Sequence, residues 1–550
     1  MPESVEPVEV PSSVAGHVYF IDRALDGMAK TLTDLGDDLV VIRPDLPGAN
    51  TPYGLVTHCL GVVEYWAGHV IAGRTVERDR AAEFRARGTV AELMAQIDAA
   101  QLRLRADVSA AEPSSPPRKS PDPEFLGPDR PMDQGGVLLH IVEELAQHRG
   151  QLEVTRDVLL AAAGPVGARS PFEPPTAWLR KKHGVKWHRP GPGQLPAWVA
   201  DMDFPVATPI RTAIIDALDR GDLGYPDWPA PHPLAALFAD RMRQRFGWNA
   251  DPDHVRGLTD VIQGLQIVLD LATEPGDGVV LQEPNYRPFR LAVPAMQRQA
   301  VQLHVVPDAD SWRLDLDRLE AEPATQLARV LLLVNPHNPT GRVLRRDELQ
   351  ALAAFAERHD LLVVSDEIHA DLVYHPAVHI PFASLGEQVA ARTVTLTSAT
   401  KAFNIAGLRT AVAHIGPAWL RDRWDAEPPD IHGVAGVLGA EATLAAWRDG
   451  DEWLSGVVKH LQRNRDRLID GLNAIDGVRV RTPQAGYLAW IDCSGARPGA
   501  DVAALLREQA QLYASPGPDY GGPSDWVRLN FATSTTLLDD IIHRMASAQR

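Results

Sequence analysis

Residues 360–368, DLLVVSDEI, and 392–400, RTVTLTSAT, decide the fold. Each is a short β-rich run that stops at polar residues. Working outward, GDGVVLQEP at 276–284 and ARVLLLVNP at 328–336 end the same way, and helical stretches lie between all four. Strands alternating with helices predict a mostly parallel sheet with crossover helices, and in such sheets chemistry collects at the carboxyl ends of the strands. From about residue 450 a long amphipathic helix leads into VRVRTPQAGYLAWIDC and DWVRLNFA, which suit a smaller α+β domain packed on the large one.

The first 163 residues read differently. Apolar side chains recur near every 3.6 residues in VYFIDRALDGMAKTLTDL, TPYGLVTHCLGVVEYWAGHVI, VAELMAQIDAAQLRLRADV and GGVLLHIVEELAQHRGQLEVTRDVLLAA. Four such segments over 14–163 predict an all-α four-helix bundle. AEPSSPPRKSPDPEFLGPDRP, between the third and fourth, is too rich in proline for regular structure and reads as an exposed crossing loop. AAAGPVGARSPFEPP has linker composition, so 164–175 is read as the linker and 176–550 as the α/β part. Within that part the large domain is expected at about 215–445, and the small domain at about 176–214 plus 446–550.

Composition bounds the function. The chain has 550 residues, with 72 acidic side chains against 54 basic ones, a net charge of -18. That charge repels phosphate backbones, so nucleic acid is excluded as the main partner and small molecules are favoured. Two cysteines, Cys59 and Cys493, make neither a disulfide framework nor a thiolate metal cluster, and a reducing cytoplasm is the expected setting. MPESVEPVEVPSS lacks the basic end and apolar run of a secretory signal, and no stretch is apolar for the length a membrane span needs.

Three strand ends carry polar residues suited to a pyridine aldehyde cofactor: NPHNPTGRV, SDEIHADL and SATKAFNIAGLRTA. An acid can hold a pyridinium proton, a lysine can form an imine, and a serine with an arginine can bind phosphate. Taken singly, a lysine after a strand is commonly a solvated charge and NPTG a turn sequence. Their order and spacing together set them apart. Residues 172–550 resemble the fold type I pyridoxal phosphate (PLP) enzymes of the aminotransferase superfamily. KWHRPGPGQLPAWVADMDFPVATPI, DLGYP and SDEIHADL resemble its cystathionine β-lyase-like branch of carbon-sulfur lyases.

That resemblance implies a role for each matching residue. Lys401 would form the imine with the cofactor and Asp366 would partner its pyridine nitrogen. Asn338 would bond the phenolic oxygen, Tyr286 would stack on the ring, and Ser398 and Arg409 would hold phosphate. Arg528 would grip a substrate carboxylate, and Tyr225 would reach the neighbouring subunit's site in a homodimer. In GLTDVIQGL, Thr259, Asp260 and Val261 replace a more glycine-rich phosphate cradle, and Asp260 suits that place only if its side chain turns away to cap the helix. His369 stands three positions after Asp366, where many aminotransferases have a tyrosine; it is expected in the cofactor site. The branch favours a lyase that releases thiol, pyruvate and ammonia from cysteine S-conjugates or cystathionine-like amino acids. Lys401 and Asp366 would serve an aminotransferase equally well.

In the bundle, Glu144 and His148 are four apart and project from one helix face. His58, in the second helix, can supply a third ligand to a divalent metal, and His140, a turn upstream on the same stripe, is the alternative ligand or a supporting partner. TPYGLVTHCLGVVEYW with VLLHIVEELAQHRGQLEVTRD resembles the DinB-like family, in particular its thiol transferases and mycothiol-dependent maleylpyruvate isomerases. The resemblance maps the metal set to His58, Glu144 and His148, with zinc as the first choice. Thiol transfer by the bundle and carbon-sulfur cleavage by the larger part would make one sulfur-handling enzyme; the alternative is an aminotransferase with the bundle as a docking or dimerisation module.

Overall fold

In a computed structural model that describes residues 10–44, 46–123, 125, 130–162, 170–226, 228, 232–309 and 311–548, the four apolar-periodic segments form long helices. They span Ser12–Val40, Pro52–Val63 running on through Ile71, Val90–Val108 and Gln134–Ala162. Thr51 caps the second, accepting from Gly54 N at 3.0 Å, with Pro52 as its first residue. Thr89 and Glu92 close a capping box on the third. Leu25, Leu32, Val56, Leu93, Leu138 and Leu145 meet in one core, and the first helix packs on the third and fourth. The second helix departs from a plain α-helix: Glu64–Ile71 is wound as a π-helix. The wider turn sets Glu64 and the bare backbone of Gly68 against Arg74, which also pairs with Asp107 at 2.7 Å. The proline-dense segment 111–131 holds no helix or strand among its described residues.

The chain divides into two compact units, residues 1–167 and 168–550. The first residues of the linker reading, 164–169, lie outside the described residues, as do residues 1–9 of the N-terminal run.

The second unit is built on an eight-stranded sheet. Its centre is the parallel series Gln299–Asp308, Gly278–Glu283, Ala328–Val334, Leu362–Asp366 and Thr393–Thr397. Ala411–Ile415 and Ser311–Leu314 run antiparallel to their neighbours, and Val255–Leu258 closes the far edge. Both faces are covered. Val330, Leu332 and Val334 point into one apolar cluster while Leu331 and Leu333 of the same strand point into another, the two-residue period of a strand buried on both sides. The smaller sheet orders Arg479–Val480, Leu488–Asp492, Trp526–Asn530 and Ser515–Pro516, all antiparallel, with Asp451–Asn473 packed on Thr535–Ala548. No helix among the described residues is long and apolar enough to cross a membrane.

Leu332 is fully buried at the centre of the large sheet. Leu332→Ala should cost about 2–5 kcal/mol in urea unfolding, a transfer loss plus a cavity that a crowded strand cannot collapse.

Candidate functional site

Neighbouring parallel strands deliver their polar ends to one pocket. Tyr286 follows Gly278–Glu283, Asn338 follows Ala328–Val334, Asp366 ends its own strand, and Ser398 and Lys401 follow Thr393–Thr397. Thr259, Asp260 and Val261, after Val255–Leu258, line the same space with His369 and Arg409. The space within the pocket and at its mouth, open solvent included, is about 760 Å³. Asn338 is seated by a turn that needs glycine: Gly341 has φ of 69°, and a Cβ there would lie 2.5 Å from Pro483 Cβ.

The pocket residues hold one another at distinct charge states. Lys401 Nζ donates to Ala200 O at 2.8 Å and stands 4.0 Å from Asp201 Oδ1. Burial holds its pKa below the usual lysine range; Arg528 pushes the same way, while Asp201 and Asp366 pull back. The neutral amine this favours is the form that attacks an aldehyde. Asp366 accepts from Ile368 N at 3.1 Å, and burial lifts its pKa to about 7. A pyridinium N–H beside it would restore the ionised carboxylate, so this residue fits a pyridine cofactor. His369 is buried, its Nδ1 has no partner among the described residues, and burial with Lys401 and Arg528 pushes it down to about 3, leaving a neutral ring.

Arg528, from the small sheet, joins the site through Asn338, donating from Nη1 to Oδ1 at 3.1 Å. Nη2 donates to Trp198 O at 2.7 Å, the guanidinium lies over the Tyr520 ring, and Nε has no partner among the described residues. A buried guanidinium whose partners among the described residues are neutral oxygens is suited to a carboxylate.

The phosphate end differs from a plain amide cradle. Asp260 does cap its helix, accepting from Ile262 N at 2.8 Å and Gln263 N at 3.0 Å. Its other oxygen pairs with Arg409. Thr259 N donates to Gln263 Oε1 at 2.8 Å and is therefore taken. Ser398 Oγ is within hydrogen-bond distance of Thr410 O and Thr400 Oγ1. An incoming phosphate thus meets an acidic side chain already bound to the arginine expected to hold it.

Ten of the residues singled out from sequence line this pocket, and Arg528 is bonded to one of them. Tyr225 does not join: it is fully exposed and is not among the residues that line this pocket. Sequence reading missed the Ala200 carbonyl, Asp201 and Tyr487, whose hydroxyl donates to Ala200 O at 3.0 Å. WVADMDF marked the segment, but not which of its atoms would face the lysine.

In the bundle, one ligand atom each from His58, Glu144 and His148 lies within 4.8 Å of the others. His148 Nε2 is 3.6 Å from Glu144 Oε2, close to the roughly 3.4 Å that tetrahedral zinc bonds set between donors. This close pairing lowers the Glu144 pKa and raises that of His148. His58 is buried and its Nε2 has no partner among the described residues. The donors fit a divalent metal. His140 instead packs edge-on against Trp66, with ring centres 4.6 Å apart, outside this cluster.

A lysine, a buried carboxyl and an arginine gathered at the carboxyl ends of a mixed, mostly parallel sheet define a class, and comparison with known proteins gives the same one. The family Aminotransferase class I and II matches residues 199–545, and the chain belongs to it, in the company of PLP-dependent lyases. Residues 18–160 match the family Mycothiol-S-transferase. Among individual proteins, cystathionine β-lyase of Corynebacterium glutamicum is 31% identical over 67% of this chain and 97% of its own length. The crystal structure of OvoB is 38% identical with a TM-score of 0.64, covering 67% of this chain and 96% of that one. Cystalysin from Treponema denticola, whose structure contains a pyridoxal 5'-phosphate cofactor, is 26% identical with a TM-score of 0.63, covering 67% and 96%.

Raising the Asp366 pKa from 3.8 to about 7 makes its ionised form a burden on the fold, absent at low pH and complete above about pH 7. In cofactor-free protein, Asp366→Asn cannot ionise. Its stability should gain on wild type by about 2–3 kcal/mol between pH 5 and pH 8, followed by denaturant unfolding; a pH-independent difference would remove the raised pKa.

Proposed function

We propose that residues 176–550 form a PLP-dependent carbon-sulfur β-lyase acting on cysteine S-conjugates or cystathionine-like amino acids, and that residues 14–163 form a metal-dependent thiol-handling domain. The observation that carries the reading is that Lys401 and Asp366 line one pocket with Asn338, to which Arg528 is bonded, and that Arg528 pairs with no carboxylate among the described residues. Pyridoxal phosphate, when bound, supplies an electron-withdrawing ring that takes up the electron pair released at the substrate's Cα. The chain's own residues do the rest. Arg528 would hold the α-carboxylate in two-point contact, fixing which Cα bond faces the lysine. The Lys401 amine, its pKa lowered by burial, would remove the Cα proton, and Asp366 would keep a proton on the pyridine nitrogen. Tyr286 would pack on the ring face, Asn338 and neutral His369 would face its phenolic oxygen, and Ser398, Arg409 and the Asp260 and Val261 amides would hold phosphate. Loss of a thiolate from Cβ then leaves aminoacrylate, which water converts to pyruvate and ammonia.

A homodimer belongs to the same proposal, with Tyr225 set against the second copy's cofactor; its full exposure supports this. So does a cytoplasmic setting, in keeping with two buried free cysteines. In the bundle, His58, Glu144 and His148 would hold zinc, which lowers the pKa of a bound thiol. A thiol attached to an electrophile there would give the kind of conjugate whose cysteinyl part the larger half cleaves. The family's aminotransferase members support a second reading, since Lys401 and Asp366 serve transamination as well.

Purified protein given PLP and a cysteine S-conjugate should release pyruvate and thiol in equal amounts, with Lys401→Ala slower by about 10²–10⁴-fold. Keto-acid exchange without pyruvate would make the chain an aminotransferase. The full chain should also carry about one zinc by elemental analysis, lost in His148→Ala; a wild-type chain without metal would leave the bundle as a docking module.

A further inference from the structure

The second helix buries His58 against a side chain that no spacing rule pointed to. Between the second and third helices, Arg80–Glu83 forms a single helical turn, capped by Asp79, which accepts from Ala82 N at 2.8 Å. That turn carries Glu83 inward until Oε2 lies 2.8 Å from His58 Nδ1. Arg78 braces the carboxylate from the other side, with Nε 2.8 Å from Oε1 and Nη2 3.0 Å from Oε2. The side chains of His58, Glu83 and Arg78 are 3%, 10% and 5% exposed, so this is an interior network. Phe84 stacks on the imidazole with ring centres 4.6 Å apart, and Gly61 leaves the room the carboxylate occupies, since a Cβ there would fall 2.0 Å from Oε1.

This geometry sets the tautomer. A carboxylate only accepts, so the contact puts the imidazole hydrogen on Nδ1 and the lone pair on Nε2. Arg78 Nη2 also approaches Nδ1, at 3.3 Å, and a guanidinium only donates; the shorter, charge-assisted contact to Glu83 prevails. Nε2 is the atom that is buried without a partner among the described residues, and His58 is the buried member of the cluster with Glu144 and His148. His148 repeats the pattern at the more exposed side: its Nδ1 lies 3.0 Å from Gln151 Oε1, which leaves its Nε2 toward Glu144.

We propose that Glu83, clamped by Arg78, is a positioning residue for the bundle's divalent metal, fixing the tautomer and ring plane of His58 so that its Nε2 ligates. Resting on the metal reading above, it adds the outer partner that makes one histidine a pre-set ligand. Glu83 itself does not touch the metal. A carboxylate in that place also makes the imidazole a stronger donor.

The test uses the full chain and zinc, with affinity read by competition against a chromophoric chelator. Glu83→Ala should bind zinc 10–100-fold more weakly than wild type. Glu83→Gln keeps an acceptor for Nδ1–H but not the charge, and should lose severalfold. Loaded with cobalt(II), Glu83→Gln should show shifted visible ligand-field bands, which a purely packing role would not produce. Far-UV circular dichroism of the metal-free forms checks the bundle. If Glu83→Ala unfolds it, Glu83→Gln decides: weaker zinc with shifted bands supports the role, and wild-type affinity with unshifted bands overturns it. Wild-type affinity in a folded Glu83→Ala chain overturns it too. A wild-type chain that binds no zinc fails the metal reading itself, a result distinct from either.

Discussion

Parallel strands all end on the same side of their sheet, and that constraint organises the larger half. Gly278–Glu283, Ala328–Val334, Leu362–Asp366 and Thr393–Thr397 are consecutive neighbours, so the residues that follow each one meet whether or not they are near in sequence. Crossover helices bury both faces and hold the register that sets Asp366 opposite Val334 on one side and Leu396 on the other. The chemistry is therefore a by-product of strand direction and burial.

Burial also sets the electrostatics. A carboxyl pushed upward, an amine pushed downward and a histidine kept neutral share one apolar enclosure. Each shift has desolvation as its largest cause. A pyridine ring would turn one of these groups, Asp366, into a favourable partner, so cofactor and carboxyl would stabilise each other.

Much of this was legible. The strand ends with SDEI and SATK carry their polar residues within a few positions of an apolar run, and the helical periods of the bundle are local as well. Arg528 was reached only through family resemblance, because it arrives from a separate sheet. Asp201 and Glu83 were not reached. Each acts on a residue distant in sequence, across a turn whose exit direction no local pattern encodes. Glu83 lies in RTVERDRAAEF, a charged stretch that reads as a solvated surface, and only the packing of Arg78, Phe84 and Gly61 shows it to be interior. Asp260 was recognised as out of place unless it capped its helix, which it does, and what the structure added is its pairing with Arg409.

The Asp260–Arg409 pair gives the pocket a character of its own. A helix start and an arginine would ordinarily make an open trap for any small anion, from inorganic phosphate to a nucleotide tail. Here the trap carries its own stopper. An anion that took the arginine would have to displace the Asp260 carboxylate, so admission would be an exchange of one negative group for another.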